Sequence, residues 1–211
     1  MNGRFITFEG IEGCGKTTQI KLLNDALKKR GIETVLTREP GGTKIGDKIR
    51  KVLLDAANSE MVALAELLLY EASRAQHVEE KIRPALSAGK VVLCDRFYDS
   101  SSAYQGAARK LKSSLVHRLN DIATSGLTPD LTIILDISPK AGLARAKGRG
   151  KPDRLESEEL EFHLRVRAGF LKLAKDEPRR VVVVNGSGEV GEIHREIIKL
   201  IDACPFHTSG V

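Results

Sequence analysis

Tryptophan is absent from the 211 residues, and aromatic residues make up only 4%. That scarcity disfavours folds that bind nucleic acid by stacking bases on rings. The three cysteines, Cys14, Cys94 and Cys204, are odd in number and far apart, with no CxxC and no Cys/His ligand spacing. Neither a disulfide scaffold nor a zinc site is supported, and a reducing, cytoplasmic compartment is expected. No apolar run approaches the roughly 20 residues of a membrane helix. Residues 1–8 already read as strand and lack the apolar core of a signal peptide. Internal repeats and low-complexity tracts are missing too. What is present is the balance of an ordinary globular protein, 41% hydrophobic and 29% charged. A chain this long buries about 70% of its unfolded surface, so it needs no disulfide or structural metal. The net charge of +6 suits an anionic partner: nucleic acid, an anionic membrane or a phosphorylated small molecule.

Apolar strand-like runs at 5–8, 33–37, 91–94, 131–135 and 181–184 alternate with helical patterns. Ile20, Leu23 and Leu27 recur at helical spacing over 17–30, and Lys28, Lys29, Arg30 and Gly31 close that helix. Ile45, Ile49, Val52 and Leu53 mark a second helix. A long helix is expected from Ser59, with a kink near Pro84. Further helices are expected over 111–125, 158–175 and 193–201, and residues 205–211 are expected to fray. The alternation predicts an α/β fold, a five-stranded parallel sheet with helices on both faces, in one domain spanning 1–211. Ligands of such sheets sit beyond the strand C-termini, where each Gly-rich or charged cluster of this chain falls.

Gly10-Ile11-Glu12-Gly13-Cys14-Gly15-Lys16-Thr17 fits the phosphate-loop pattern GxxxxGK[ST], between a strand and a helix. Its glycines let backbone N–H groups converge on phosphate, Lys16 reaches the terminal phosphates, and the Thr17 hydroxyl suits Mg²⁺. Thr18 continues into a helix whose positive end faces the anion. No NKxD sequence is present, which speaks against a signalling GTPase. A metal-side acid is expected at a strand end, where Asp95 and Asp136 compete. Arg96, directly after Asp95, makes sense if a second phosphate is gripped there; otherwise it is a surface ion pair.

The segments Phe8-Glu9-Gly10-Ile11-Glu12-Gly13-Cys14-Gly15-Lys16-Thr17-Thr18, Thr37-Arg38-Glu39-Pro40-Gly41-Gly42 and Asp95-Arg96-Phe97-Tyr98 together resemble the thymidylate kinase family over about residues 4–203. The resemblance implies a phosphate-loop NTPase fold with a short mobile lid at about 142–156, and transfer of the γ-phosphoryl of ATP to dTMP with Mg²⁺. It also implies a homodimer, and partners that include neither nucleic acid nor membrane. Carried over residue by residue, it gives Arg38 and Arg96 the acceptor phosphate, Asp95 the Mg²⁺ and Glu12 the acceptor 3′-hydroxyl. Tyr70 stands where the family usually has a stacking Phe, with Arg74 one turn on as the base contact. Ser101 and Gln105 fall at polar base contacts, and Tyr104 lies beneath the deoxyribose, excluding a 2′-hydroxyl. Arg149 matches the lid's catalytic arginine in the subtype typical of bacteria, Arg145 an adenine-stacking group and Asn185 the adenine-side loop.

The basic run Arg145, Lys147, Arg149, Lys151 and Arg154 has other readings, RNA binding or a solvated face, but no aromatic is interleaved in it. Asp153-Arg154-Leu155-Glu156 resembles the lid's closing motif. Cys14, at a helix N-terminus near Lys16, reads either as a reactive thiol shielded by ATP or as a small filler.

Overall fold

The computed structural model describes residues 3–147 and 153–203. Its five strands, β1 (Arg4–Glu9), β2 (Thr34–Arg38), β3 (Val91–Asp95), β4 (Leu131–Asp136) and β5 (Val181–Asn185), form one parallel sheet in the order β2-β3-β1-β4-β5. β1, β3 and β4 are almost wholly buried, which explains their continuous Val, Ile, Leu and Phe runs in place of alternation. The strands run a residue or more beyond the apolar stretches, so the acids that seemed to follow them are their last residues. Register aligns Phe8 and Arg38 with Asp95, and Asp136 with Asn185. Arg38, Asp95 and Glu9 are thereby gathered at the C-terminal edge of the sheet, on β1 and the two strands to one side of it, where the strand order reverses.

Opposite faces of β1 enter different cores. Ile6 and Phe8 join a large cluster with Leu23, Leu27, Val166, Phe170 and Ile197. Phe5 joins a smaller one with Val92, Phe97, Val78 and Ile82. The large cluster is closed by α1 (Lys16–Lys29), α8 (Leu160–Asp176) and α9 (Val190–Ala203), whose buried residues recur every three or four positions. α2 (Lys44–Leu54) starts where Thr43 accepts the Gly46 N–H at 3.0 Å.

The long helix does not open at Ser59. α3 (Ala63–His77) begins four residues later, because Asp55 and Asn58 turn the backbone: Ala57 donates to the Asp55 carboxylate at 2.9 Å and the Asn58 amide to the Val52 carbonyl at 2.9 Å. Its break is a π-helical turn at Val78–Ile82, and Pro84 sits in the first turn of α4 (Arg83–Ser87), where a missing N–H costs nothing. α5 (Tyr98–Ser101) runs into a second π-helical turn, Ser102–Ala108, a helical stretch that serines and Gly106 hid from pattern reading. α6 (Ser113–Thr124) lies within the expected span. The basic segment expected from Gly142 is helical at its start: α7 (Pro139–Ala146) is capped by Ser138, whose hydroxyl accepts from Ala141 at 3.3 Å.

Candidate active site

The phosphate loop links β1 to α1 with positive φ at Gly10 (132°), Gly13 (71°) and Gly15 (100°), angles that glycine adopts without strain. A Cβ at Gly13 would strike the Gly142 carbonyl of α7, and one at Gly142 would strike the Glu12 carbonyl. The two glycines thus let loop and helix touch backbone to backbone. Lys16 folds over the loop, its Nζ 3.2 Å and 3.1 Å from the Gly10 and Ile11 carbonyl oxygens and 3.5 Å from Cys14 Sγ. Gly15 gives α1 no side-chain cap, and no acid occupies the first turn. The N–H groups and the helix dipole therefore face whatever anion the loop holds. Cys14 is only 1% exposed, which is the filler's environment and leaves an alkylating reagent no access in this conformation.

The two strand-end acids separate cleanly. Thr17 Oγ1 donates to Asp95 Oδ2 at 2.9 Å. Asp136 is instead gripped by Arg167 of α8 through two bonds of 2.7 Å each.

Arg96 adopts a left-handed φ of 72°, unusual for a residue with a Cβ, and its N–H donates to Phe8 O at 3.0 Å. That backbone twist turns the guanidinium back over the loop. Nη1 donates to Gly10 O at 2.9 Å and Ser100 Oγ at 3.2 Å, Nη2 donates to Glu12 Oε2 at 2.8 Å, and the group sits 5.1 Å from the Tyr104 ring centroid. Burial opposes its charge, but Tyr104 and the Glu12, Glu9 and Asp95 carboxyls outweigh it and hold the proton more tightly than usual.

Beneath Arg96 lies Glu9, a residue to which the sequence reading gave no role. It is fully buried; Phe97 N–H donates to Oε1 at 2.7 Å and Ser100 Oγ to Oε2 at 2.6 Å, with Arg96 Nη1 4.0 Å away. Burial, aided by Asp99, pushes its pKa up from 4.5 to about 7, against the opposing pull of Arg96, Ser100 and the Phe97 amide. The folded state therefore keeps a proton that the unfolded state releases, and stability falls as pH rises from about 4.5 through about 7. Glu9→Gln removes this titration. The variant's stability relative to the parent is expected to improve by about 2–3 kcal/mol between pH 5 and pH 8. Urea unfolding across that range checks it; a pH-independent difference would show that Glu9 does not titrate there.

Two cavities meet at Glu12 and Arg96. The larger opens over Lys16, Thr17, Thr18, Arg38 and Asp95. The smaller is walled by Tyr70, Ser101, Tyr104, Gln105 and, from the far side, Asp153 and Glu156. Tyr104 stands on edge against Phe162 and Phe170, at 6.1 Å and 6.2 Å between centroids. Arg38 is exposed and 3.9 Å from Asp47. On the other flank of the loop, Arg145 Nη1 donates to Gly186 O at 3.3 Å and the Asn185 side chain accepts the Ser187 N–H at 3.0 Å. Arg149 lies outside the described residues.

Arg74, on α3, stands behind the wall of the smaller cavity through its bond to Ser101. It is 1% exposed and outside the cavity lining. Its Nε donates to Glu39 at 2.8 Å, and its Nη1 to Glu71 at 2.6 Å, to Ser101 at 3.1 Å and to Asn120 at 3.1 Å. Arg50, on α2, was missed: it lines both cavities, and burial together with the nearby charge of Arg38 lowers its pKa. Set between Lys48 and Lys51, it has no local feature in the sequence that marks it out. His163, also on the smaller cavity, carried no signal in the sequence.

An anion loop at the head of a parallel sheet, joined at Arg50 and Arg96 to a second, smaller cavity, defines a phosphate-loop enzyme of the nucleoside monophosphate kinase class. Comparison with known proteins narrows this. The Thymidylate kinase family model matches residues 8–197. A thymidylate kinase of Caldanaerobacter subterraneus subsp. tengcongensis is 52% identical over 202 residues, 96% of each chain. One from Geobacter sulfurreducens is 56% identical over 194 residues, 89% of this chain and 91% of that one. The crystal structure of thymidylate kinase from Ehrlichia chaffeensis has the same fold, with a TM-score of 0.79 at 38% identity over 95% of this chain and 99% of that one. The chain belongs to the thymidylate kinase family.

Proposed function

We propose that the chain transfers the γ-phosphoryl group of ATP to dTMP, giving ADP and dTDP on the route to dTTP. The observation that carries this reading is Arg96, whose guanidinium bonds the phosphate loop on one side and covers Tyr104 in the second cavity on the other. Transfer is direct and in line. An oxygen of the dTMP phosphate bonds to the γ-phosphorus as the bond to the β-phosphate oxygen breaks, and ADP leaves. The attacking dianion needs no general base. The loop from Gly10 to Thr18 holds the ATP phosphates, with Lys16 swinging from its carbonyl contacts onto them. Arg145 and Asn185 flank the adenine.

Arg38 and Arg96 grip the acceptor phosphate with forked donors. Tyr70, Ser101 and Gln105 receive the base, and Arg74 acts on it through Ser101. Tyr104 and Glu12 bound the sugar. Thr17 and Asp95 offer hard oxygens side by side, the donor set Mg²⁺ prefers. Among the described residues no cluster of three His, Cys, Asp or Glu side chains adds to them, so phosphate oxygens would complete the shell. The ion supplies neutralisation of phosphate charge. Arg149 is the catalytic cation of a lid at about 142–156 on sequence grounds alone.

The same reading makes the enzyme a cytoplasmic homodimer without a nucleic-acid or membrane partner. No helix among the described residues is long and apolar enough to cross a membrane. α3 packs against α2 and α6, and Val52, Leu64, Leu68 and Ile122 are exposed on these three helices. Leu68→Lys is expected to shift sedimentation from dimer to monomer; a parent protein that already sediments as a monomer would end that part of the reading.

The functional test is ADP release with ATP·Mg²⁺ and dTMP, dUMP, UMP, CMP, AMP or GMP. Selectivity for dTMP supports the reading. Turnover of a ribonucleotide would overturn the sugar and base assignments, and absence of acceptor-dependent turnover would overturn the kinase itself.

A further inference from the structure

Glu66, in the first turn of α3, is completely buried and lies outside the lining of both cavities. Three side chains from elsewhere in the chain converge on it. Gln105 Nε2 donates to Oε1 at 2.8 Å, Arg109 donates through Nε to Oε1 at 3.3 Å and through Nη2 to Oε2 at 3.1 Å, and Arg154 Nη1 meets Oε2 at 2.6 Å. Burial alone would raise the Glu66 pKa. The hydrogen bonds from Arg109 and Gln105 and the charges of Arg109 and Arg154 outweigh it and bring the pKa below the ordinary value. Glu66 is therefore an ionised carboxylate, and an ionised carboxylate only accepts.

This fixes Gln105. A side-chain amide can present either end to a neutral neighbour, but only its NH₂ can meet a carboxylate. Gln105 lines the smaller cavity and is itself 1% exposed. One N–H of that NH₂ is bonded to Glu66, which fixes the orientation of the amide, nitrogen towards Glu66 and carbonyl oxygen away from it. Thymine and uracil carry a hydrogen on N3; cytosine presents a bare lone pair there. An acceptor in the wall pairs with the first and repels the second.

We propose that Glu66 sets the hydrogen-bonding polarity of the acceptor pocket: by taking the Gln105 NH₂ group it turns an acceptor towards the base, selecting pyrimidines with an N3–H over those without. The proposal rests on the dTMP reading above and makes Glu66 a positioning residue that acts through Gln105.

The test compares dTMP with dCMP, by turnover or, where turnover is too slow, by competitive inhibition. In Glu66→Gln the partner offers either end, and the Gln105 amide is free to reverse. The kcat/KM ratio of dTMP over dCMP is expected to fall about tenfold or more, driven by a loss with dTMP and a gain with dCMP. Gln105→Leu should lower the same ratio, and adding Glu66→Gln to it should change the ratio no further. If Glu66→Gln lowers both substrates equally, Glu66 is only structural and the proposal fails.

A measurement on the parent protein covers the case in which the Glu66 variant does not fold. Gln105 is one of three glutamines, so its side-chain NH₂ can be followed by ¹⁵N NMR after glutamine labelling and assigned by its disappearance in Gln105→Leu. Slow solvent exchange before dTMP is added, unchanged afterwards, supports the bond to Glu66. Protection that arises only with dTMP means that the NH₂ serves the base and overturns the proposal. A parent enzyme that does not phosphorylate dTMP would instead sink the functional reading, an outcome separate from either of these.

Discussion

Arg96→Ala is expected to lower kcat by about 10²–10³-fold while leaving the protein folded, the range seen when a single aimed donor is removed from a site of charge development. The guanidinium is held by Gly10 O, Ser100 Oγ and Glu12 Oε2 where the two cavities meet. In the free protein it neutralises Glu12 and offsets the burial of Glu9. On the function proposed above, it is the cation that the two substrate phosphates would share. Arg96→Lys keeps the charge but loses the fork, and cannot reach the loop carbonyl and Glu12 together. It should recover only part of the loss.

The backbone gives a control. Because φ is 72°, alanine at position 96 retains the strain of a left-handed residue, whereas glycine does not. Arg96→Gly should therefore be about 1 kcal/mol more stable than Arg96→Ala while equally impaired in kcat. Thermal melts beside steady-state kinetics separate the two effects. An alanine variant with kcat within threefold of the parent would remove Arg96 from the chemistry.

How much of this was legible beforehand follows from the range over which each signal acts. The strands, α1 and the phosphate loop were readable because their determinants are local: apolar runs, a 3.6-residue period, and glycines whose positive φ the loop demands. Arg38 and Asp95 were legible by their place at strand ends, since a parallel sheet brings all such ends to one edge. The choice between Asp95 and Asp136 came from the family resemblance and not from the strand pattern. Both end apolar strands, and what separates them is Arg167, 31 residues from Asp136 and on a different element. Glu9, Arg50 and Glu66 were invisible for a related reason. Their importance lies in burial and in partners such as Ser100, Arg38 and Arg154, which no periodicity reveals. The π-helical turns defeated pattern reading as well, because hydrogen bonds that span five residues break the helical period where Tyr104 and Gln105 are displayed.

Arg74→Ala tests the residue for which sequence and structure give different emphases, and its largest effect is expected on stability. Family resemblance makes Arg74 a base contact. In the fold it is a buried tie between Glu39, Glu71, Ser101 and Asn120, with Glu39 also bonded to His77 at 2.9 Å. Its removal leaves two buried carboxyls without their cation, an imbalance that costs about 3–5 kcal/mol. Burial already raises the Glu71 pKa despite the attraction of Arg74. Without Arg74 that pKa climbs further, so the variant recovers stability by protonation. The penalty should be largest near pH 8 and shrink towards pH 5, because the folded variant then binds protons that the unfolded chain does not. Urea unfolding at both pH values measures this.

A compensated variant separates scaffold from recognition. Arg74→Met with Glu71→Gln removes one charge of each sign and should regain much of the lost stability. If Arg74 serves dTMP only by holding Ser101 and its surroundings in place, activity returns along with stability. If it also reaches the base, KM for dTMP stays at least about tenfold raised in the stabilised variant, since a hydrogen bond from a charged donor is worth about 1.5–3 kcal/mol. A stable double variant with unaltered KM would confine Arg74 to the scaffold and leave selection of the base to Gln105 and the carboxylate behind it.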